Sequence, residues 1–298
     1  MLAIRFPIFN HFEAALRRIS RTLSVLPYSR VQVRYYTFLG TGTAGGGYSN
    51  RGLGISKEGY KMTTNNAPAK IKIDVTSEEI LIIFPPQDSI CPFCFIGKRK
   101  LDRAIEIAKE RGMNAEFGVE FHPFLLDPTL REDEPEDKRE RYHRKFGKER
   151  FEGMEKMMIQ RGKQVGINFS YGGKVRQTTD SHRLLALAYE KGGQTMQSNL
   201  VEKLFSGYFE REQDVGDRDF LSAQAVAVGL FPNEDETKSW LASDAKRKEV
   251  QQGIMKAQAM GISGVPFFVF NNKFAISGAE EPELFVQVFE RVCGQAAA

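Results

Sequence analysis

The alternation of hydrophobic and polar positions divides most of the chain into predicted strands and helices. Residues 70–75 (Lys-Ile-Lys-Ile-Asp-Val) and 115–121 alternate strictly, which predicts two strands. The continuous apolar runs at residues 80–84 and 267–270 favour buried strands, and residues 274–276 are expected to pair back on the second run after an Asn-Asn-Lys turn. Apolar residues at every third or fourth position predict helices at residues 92–111, 181–191, 199–212, 219–228, 238–260 and 281–292.

The order of these elements predicts an α/β fold with a helical insertion. Strand, helix and strand come first, then a long and mostly helical stretch, and finally two strands and a closing helix. We place the α/β domain at residues 70–128 and 215–295, and the inserted helical domain at residues 129–214. Residues 131–150 are densely charged, which is typical of a solvated helix face, and their helix is predicted to continue to residue 158.

The first 61 residues differ in composition from the rest. Residues 1–40 are rich in Arg, contain Ser and Thr and are nearly free of acids, and residues 11–26 could form a basic amphipathic helix. This is the composition of a mitochondrial presequence, and the Gly-rich residues 40–54 are typical of a flexible linker. We therefore expect a disordered leader at residues 1–61 and a mitochondrial protein. Alternatively, Met62 is the true start and the protein is cytoplasmic.

Composition argues against several classes of function. The chain has 298 residues and a net charge of +4, and its first 60 residues carry eight Lys and Arg against two acids. The remainder is nearly neutral, so nothing indicates nucleic-acid binding. No apolar run approaches the roughly 18 residues needed to span a membrane. Three cysteines in a chain of this length do not form a disulfide-stabilised secreted scaffold, so we expect an intracellular, reducing compartment.

The candidate chemistry lies in a Cys-Pro-Phe-Cys motif at the start of the helix predicted over residues 92–111. Cys91 falls at the N-cap, and Pro92 at the first helical position, where its missing N–H would have no partner anyway. The free N–H groups and the positive end of the helix dipole favour the thiolate of Cys91, which is the nucleophilic form of cysteine. Cys94 lies one helical turn further on, where its thiol can approach the Cys91 sulfur and act as the resolving thiol.

Two other interpretations of the motif compete with redox chemistry. The motif could be half of a zinc site, but the third cysteine, Cys293, and four singly scattered histidines offer no second half, so we expect no metal. The two cysteines could also be structural residues paired by chance. The helix-opening position and the proline favour the redox interpretation.

Beyond the motif, the chain resembles a known family. A Cys-x-x-Cys on the first helix, combined with Gly-Val-Pro before the penultimate strand, is the pattern of the thioredoxin fold, and the helical insertion resembles the DsbA branch of that fold. Within this branch the chain is similar to FrnE-like oxidoreductases, which are related to 2-hydroxychromene-2-carboxylate isomerases and kappa-class glutathione transferases. The matching stretches are residues 91–99, 123–128, 181–184, 204–209, 264–269 and 277–279.

The resemblance implies a thioredoxin-like fold with a DsbA-like helical insertion, and thiol–disulfide oxidoreductase activity. It assigns Cys91 as the nucleophile, Cys94 as the resolving thiol and Pro266 as a cis-proline that turns the backbone of the preceding residue toward Cys91. The expected partners are protein or small-molecule disulfides and thiols. No cofactor is expected, and glutathione is a candidate co-substrate. The candidate substrate-binding residues are Val265, Pro92, Phe93 and His182.

Two of these assignments leave alternatives. His182 lies at a predicted helix start, where a histidine can equally serve as a capping or packing residue. Residues 78–87 depart from the family pattern, in which the first strand runs almost directly into the Cys motif. We interpret this segment as foreign to the fold, as a retained intron would be, and its Ile-Leu-Ile-Ile-Phe run as an aggregation hazard. Alternatively, the segment forms the extra strand found in DsbA itself.

Three functions are consistent with this sequence. A disulfide oxidoreductase is favoured because both Cys91 and Cys94 are present. A glutathione-dependent isomerase or transferase of the same fold is the second candidate, although those relatives generally carry serine at the first Cys position. The third candidate is a peptide-binding holdase that uses the Met-rich helical insertion, and its activity would survive Cys91→Ser.

Overall fold

A four-stranded sheet forms the centre of the fold in the computed structural model, which describes residues 79–296. The strand order is β3-β1-β7-β8. β1 and β3 are parallel, whereas β7 is antiparallel to both β1 and β8. The four strands are β1 (Glu79–Phe84), β3 (Ala115–Val119), β7 (Phe267–Phe270) and β8 (Phe274–Ser277). The predicted leader, the linker and the strand predicted at residues 70–75 lie outside the described residues.

The prediction that residues 78–87 are foreign to the fold is wrong. Within this segment, β1 supplies a central strand of the sheet, with β3 on one side and β7 on the other. Leu81 and Ile83 are fully buried, whereas Ile80 (56% exposed) and Ile82 (41% exposed) lie on the opposite face. Because the backbone of β1 is paired on both sides, its apolar run does not present the free strand edge that favours aggregation.

Eight helices and four short strands complete the described part of the chain. The helices are α1 (Pro92–Glu110), α2 (Lys138–Phe146), α3 (Lys148–Gln164), α4 (Thr179–Glu210), α5 (Arg218–Ala227), α6 (Glu234–Ala242), α7 (Arg247–Ala259) and α8 (Pro282–Ala296). The short strands pair as β2 (Pro86–Gln87) with β4 (His122–Pro123), and β5 (Glu136–Asp137) with β6 (Lys174–Val175). Helices α2 to α7 lie between β4 and β7 in the sequence, so the predicted thioredoxin-like α/β fold with a helical insertion is confirmed.

Several helix boundaries differ from the prediction. The helix predicted at residues 238–260 is divided into α6 and α7, and Lys246 before α7 has a left-handed φ of 63°. The charged helix predicted from residue 131 begins at Lys138 and ends at Gly147, whose φ of 84° separates α2 from α3. Within α4, Gly193 has non-helical angles (φ 60°, ψ −158°), which confirms the two helices predicted on either side of it.

Helices α1 and α8 lie on one face of the sheet, where α8 supports α1. They pack against each other, and α8 also contacts β1. The ring of Phe289 on α8 lies 5.0 Å from that of Phe117 on β3 and 6.0 Å from that of Phe270 on β7, measured between centroids. These buried aromatic contacts fix α8 on the sheet, and α1 packs against α8.

Candidate active site

The Cys-Pro-Phe-Cys motif opens α1. Cys91 is the N-cap residue in an extended conformation (φ −93°, ψ 111°), and Pro92 follows at the helix start. The N–H of Cys94 donates to the carbonyl oxygen of Cys91 at 3.0 Å, which closes the first turn. Both thiols are free, and they lie within hydrogen-bonding reach of each other. The motif is also enclosed, because Cys91 and Cys94 are only 2% and 3% exposed.

The environment of Cys94 favours its thiol form. Burial raises the pKa of Cys94 well above its ordinary value, and the neighbouring Cys91 raises it further through a hydrogen bond and its charge. A hydrogen bond from the backbone of Asp88 acts in the opposite direction but does not outweigh burial. At neutral pH, Cys94 therefore carries its proton.

The loop that leads into β7 faces the motif. The Val265–Pro266 peptide bond is cis, as the resemblance implies. The Sγ atom of Cys91 lies 3.6 Å from the carbonyl oxygen of Val265, with the thiol as donor. Gly97 allows α1 to come this close, because a Cβ atom at Gly97 would lie 3.0 Å from both Pro266 Cγ and Phe268 Cζ.

Behind the motif lies a buried carboxylate that the sequence interpretation missed. Asp88 accepts the N–H of Leu126 at 2.6 Å through Oδ2 and the N–H of Cys91 at 2.9 Å through its carbonyl oxygen. The Nε2 atom of His182 lies 3.8 Å from Asp88 Oδ1 and 3.0 Å from the carbonyl oxygen of Phe124. His182 is 2% exposed and has no surface for a substrate, so its position favours the packing interpretation.

Aromatic side chains of the helical insertion pack against α1 next to the motif. The ring of Phe95, which follows Cys94, stacks on Phe205 of α4 at 5.1 Å and lies 6.1 Å from Phe209. Phe169, between α3 and α4, meets Phe95 edge-on at 6.3 Å. This buried cluster ties the helix that carries both cysteines to the insertion.

A chain of polar groups runs through the same aromatic cluster. The hydroxyls of Tyr142 on α2 and Tyr208 on α4 lie 3.4 Å apart, and Lys138 Nζ donates to the carbonyl oxygen of Tyr208 at 3.0 Å. Burial raises the pKa of Tyr142 to about 12 and lowers that of Lys138 to about 8. Burial also raises the pKa of Tyr171, and the charge of Cys91 adds to the effect on both Tyr142 and Tyr171. Both tyrosines are therefore close enough to Cys91 to sense its charge.

The rim of the motif consists of half-buried side chains. Pro92, Phe93 and Val265 are all partly exposed. Arg161 of α3 joins them, with its Cζ atom 5.8 Å from the centroid of the Phe93 ring. The structure thus brings together six of the seven predicted site residues, and His182 lies behind them.

The residues that were missed differ in how well the sequence signals them. Asp88 lies three positions before Cys91, so its proximity to the motif could have been noticed. Arg161 and Tyr142 reach the site from the insertion and carry no motif of their own. Cys293 lies on α8, outside the motif.

Two further features bear on function within residues 79–296. No three His, Cys, Asp or Glu side chains of this part of the chain are grouped to hold a metal ion. None of its helices combines the length and apolar character needed to cross a membrane.

Known proteins share this sequence pattern and fold. Residues 86–290 match the family model of the DSBA-like thioredoxin domain. The uncharacterized protein YwbO of Bacillus subtilis (strain 168) is 26% identical over 209 residues, which cover 66% of this chain and 90% of YwbO. A probable DsbA oxidoreductase from Streptomyces coelicolor, known from a crystal structure, is 28% identical. It superposes with a TM-score of 0.64 over 72% of this chain and 90% of its own.

A more distant structure shows how widely the fold is shared. A 2-hydroxychromene-2-carboxylate isomerase is 13% identical, with a TM-score of 0.51 over 72% of this chain and 98% of its own, and so shares the fold alone. The match to the family model, in contrast, covers well over half of the present chain, including both cysteines and the Val265–Pro266 loop. The chain therefore belongs to the DSBA-like thioredoxin domain family.

Proposed function

We propose that the protein is a thiol–disulfide oxidoreductase that exchanges disulfides through Cys91 and Cys94. The position of Cys91 carries the proposal: it caps α1, has a second thiol beside it and faces the carbonyl oxygen of Val265 at 3.6 Å. Membership of the DSBA-like family supports it, as does the likeness to a probable DsbA oxidoreductase. The sequence favours the same activity.

The exchange proceeds in two displacement steps. The Cys91 thiolate attacks one sulfur of a substrate disulfide, forms a mixed disulfide and expels the other substrate sulfur as a thiolate. Cys94 then loses its proton and attacks the Cys91 sulfur, which releases the second substrate thiolate and leaves a Cys91–Cys94 disulfide. The substrate has gained two electrons and the protein has lost two. The reverse sequence transfers a disulfide to a substrate dithiol, and the redox partners set the direction.

The environments of the two thiols support the proposed order in which they act. Cys91 caps the N-terminus of α1 and faces the carbonyl oxygen of Val265, which supports its role as the nucleophile. Burial raises the pKa of Cys94, as do a hydrogen bond with Cys91 and the charge of Cys91, and the two contributions of Cys91 end once it has formed a mixed disulfide. A protonated Cys94 does not compete for the substrate, which supports its proposed role as the resolving thiol.

The carbonyl oxygen and N–H of Val265 are candidate partners for an extended substrate. An extended peptide at this position would pair with backbone groups, as in the addition of a strand to a sheet edge. Pro92 and Phe93 provide an apolar surface on the other side of the sulfur. Because Cys91 is 2% exposed, a disulfide has to enter between these rim residues to reach it, which favours small or extended substrates over compact protein surfaces.

Reduction of insulin and exchange with oxidised glutathione test the proposal. We expect Cys91→Ser to abolish both activities, and Cys293→Ser, a matched change outside the motif, to retain them. Turnover by Cys91→Ser at the wild-type rate would contradict the proposal. Glutathione is proposed as a co-substrate rather than a bound cofactor, so the assays are run with and without it.

The alternative is a glutathione-dependent isomerase or transferase, whose fold the chain shares. A folded protein that binds glutathione tightly but exchanges no disulfide would favour this alternative. Cys91 argues against it, because relatives of that kind generally carry serine at the first position of the motif.

A further inference from the structure

Arg161 is a cation at the rim of the active site. It lies on α3 in the helical insertion and places its guanidinium over the ring of Phe93, with Cζ 5.8 Å from the centroid. Phe93 is separated from the nucleophile Cys91 by one residue, in the first turn of α1. Its contact with Phe93 brings the charge of Arg161 near the entrance to the thiol. Because Arg161 is half-buried, this charge is still in contact with solvent.

Within the described residues, no acid forms an ion pair with Arg161. Among residues 79–296, no carboxylate oxygen lies within 4 Å of its guanidinium nitrogens. Three cations of α1 and α2 are paired with acids. Lys98 and Arg99 of α1 both contact Glu202, at 3.3 and 2.5 Å. Arg139 of α2 likewise binds Glu155 of α3 at 2.5 Å. Arg161 therefore differs from these three cations, because it has no carboxylate partner among residues 79–296 and its guanidinium is available to an external anion.

The acids closest to the motif do not neutralise the positive charge of Arg161. Asp88 is 1% exposed and lies behind the cysteines, where backbone N–H groups solvate it. Glu155 is held by Arg139. Neither acid pairs with Arg161 at the rim, and the positive charge of its guanidinium attracts anionic substrates and repels cationic ones.

We infer that Arg161 is a specificity-determining residue that binds a carboxylate carried by the thiol or disulfide substrate close to its sulfur. A guanidinium forms two parallel hydrogen bonds with a carboxylate, and Phe93 limits the positions that the guanidinium takes. Two sources fit this chemistry: a small carboxylate-bearing thiol such as glutathione, and an acidic residue beside the cysteine of a polypeptide. The inference rests on the proposed disulfide exchange, which supplies the reaction.

Arg161 could instead act on the protein's own chemistry by stabilising the Cys91 thiolate. That role would change the rate for every disulfide by the same factor, because the charge of the substrate would not matter. Recognition of a substrate carboxylate, in contrast, changes rates in opposite directions for anionic and cationic substrates. The two roles are therefore separated by a series of substrates that differ in charge.

The test compares three small disulfides on the full chain: oxidised glutathione, which is anionic, 2-hydroxyethyl disulfide, which is neutral, and cystamine, which is cationic. For Arg161→Gln we expect kcat/KM to fall roughly three- to tenfold with oxidised glutathione, stay within about twofold with the neutral disulfide, and rise with cystamine. Arg161→Lys should restore part of the loss. Lys163→Gln removes the same charge from the opposite side of α3 and should change none of the three rates.

Two additional measurements complete the test. S-methylglutathione carries the carboxylates of glutathione but cannot exchange, and we expect Arg161→Gln to weaken its binding roughly three- to tenfold. This binding measurement does not require turnover. Absence of disulfide exchange would therefore overturn the proposed function but not the carboxylate site. Peptide disulfides with Asp or Lys beside the cysteine distinguish the two carboxylate sources. An equal loss with all three small disulfides, or unchanged binding of S-methylglutathione, would overturn the inference.

Discussion

Replacing Gly97 with Ala tests how the close approach of α1 to the Val265–Pro266 loop supports the site. An added Cβ atom would lie 3.0 Å from Pro266 Cγ and 3.0 Å from Phe268 Cζ, inside the roughly 3.5–4.0 Å at which carbon atoms attract each other best. Phe268 has little freedom to yield, because it is buried and meets Phe285 edge-on at 4.9 Å. We therefore expect the loop to be displaced from Cys91.

Two opposing contributions, helix propensity and overpacking, determine how much Gly97→Ala changes the free energy of unfolding. Alanine is more favourable than glycine in a helix interior by about 1 kcal/mol. Overpacking a well-packed core costs about 1–3 kcal/mol. The second term is the larger, so Gly97→Ala should lower the free energy of unfolding by about 1 kcal/mol. It should also reduce the rate of disulfide exchange, because Pro266 and Val265 would no longer meet Cys91 as they do now.

Gly153→Ala is the matched control. Gly153 lies inside α3, and a Cβ atom there would meet nothing within 4 Å, so only the helix-propensity term applies. Urea unfolding should therefore show Gly153→Ala stabilised by about 1 kcal/mol and the two variants separated by about 2 kcal/mol. If Gly97→Ala were as stable as Gly153→Ala and exchanged disulfides at the wild-type rate, the argument from close packing would be refuted.

Three further changes test the thiol chemistry, an ion-pair cluster and the central strand. Cys94→Ser should accumulate a mixed disulfide between Cys91 and the substrate, seen by mass spectrometry, and rapid turnover without it would contradict the assigned roles. Burial alone would raise the pKa of Asp127, but hydrogen bonds led by that from Lys145 outweigh it and lower the pKa to about 2. The ionised carboxylate therefore stabilises the fold at pH values above its unfolded pKa of about 3.9, and this stabilisation is lost as the pH falls through about 2. In urea unfolding at neutral pH, Asp127→Asn should lower the free energy of unfolding by ~2 kcal/mol. The difference should shrink progressively below pH ~4. Deletion of residues 78–87 should abolish cooperative unfolding in circular dichroism, and a cooperative transition in that variant would show that β1 is dispensable.

Local signals in the sequence predicted the elements that carry the motif. Pro92 marks the start of α1, and Gly112, whose φ is +74°, follows its end. Asn271 and Asn272 adopt left-handed φ angles of 45° and 53° between β7 and β8, as residues of a tight turn often do. Each of these signals depends on a few neighbouring residues, and such constraints are visible in a single sequence.

Long-range pairing was harder to predict, and β1 illustrates why. Its Ile-Leu-Ile-Ile-Phe run is equally consistent with a buried strand and with an exposed insertion. The distinction depends on β3 and β7, which pair with β1 from positions far along the chain. The spacing typical of the family argued against the strand, but the pattern of burial, with Leu81 and Ile83 in the core, overrules that argument.

The chemistry of the site depends on residues that are neighbours in the sequence, whereas its selectivity depends on residues that are far apart. The proposed role of Cys91 rests on its position at the N-terminus of α1, and four consecutive residues were enough to predict that position. Enclosure of the thiols, the raised pKa of Cys94 and the rim charge of Arg161 depend on how the helical insertion folds over α1. A thiol in this position would react with many disulfides if it were exposed. We therefore expect the insertion to determine which disulfides reach Cys91, and a change of substrate preference within this fold to arise from residues of α2 to α4 rather than from the motif.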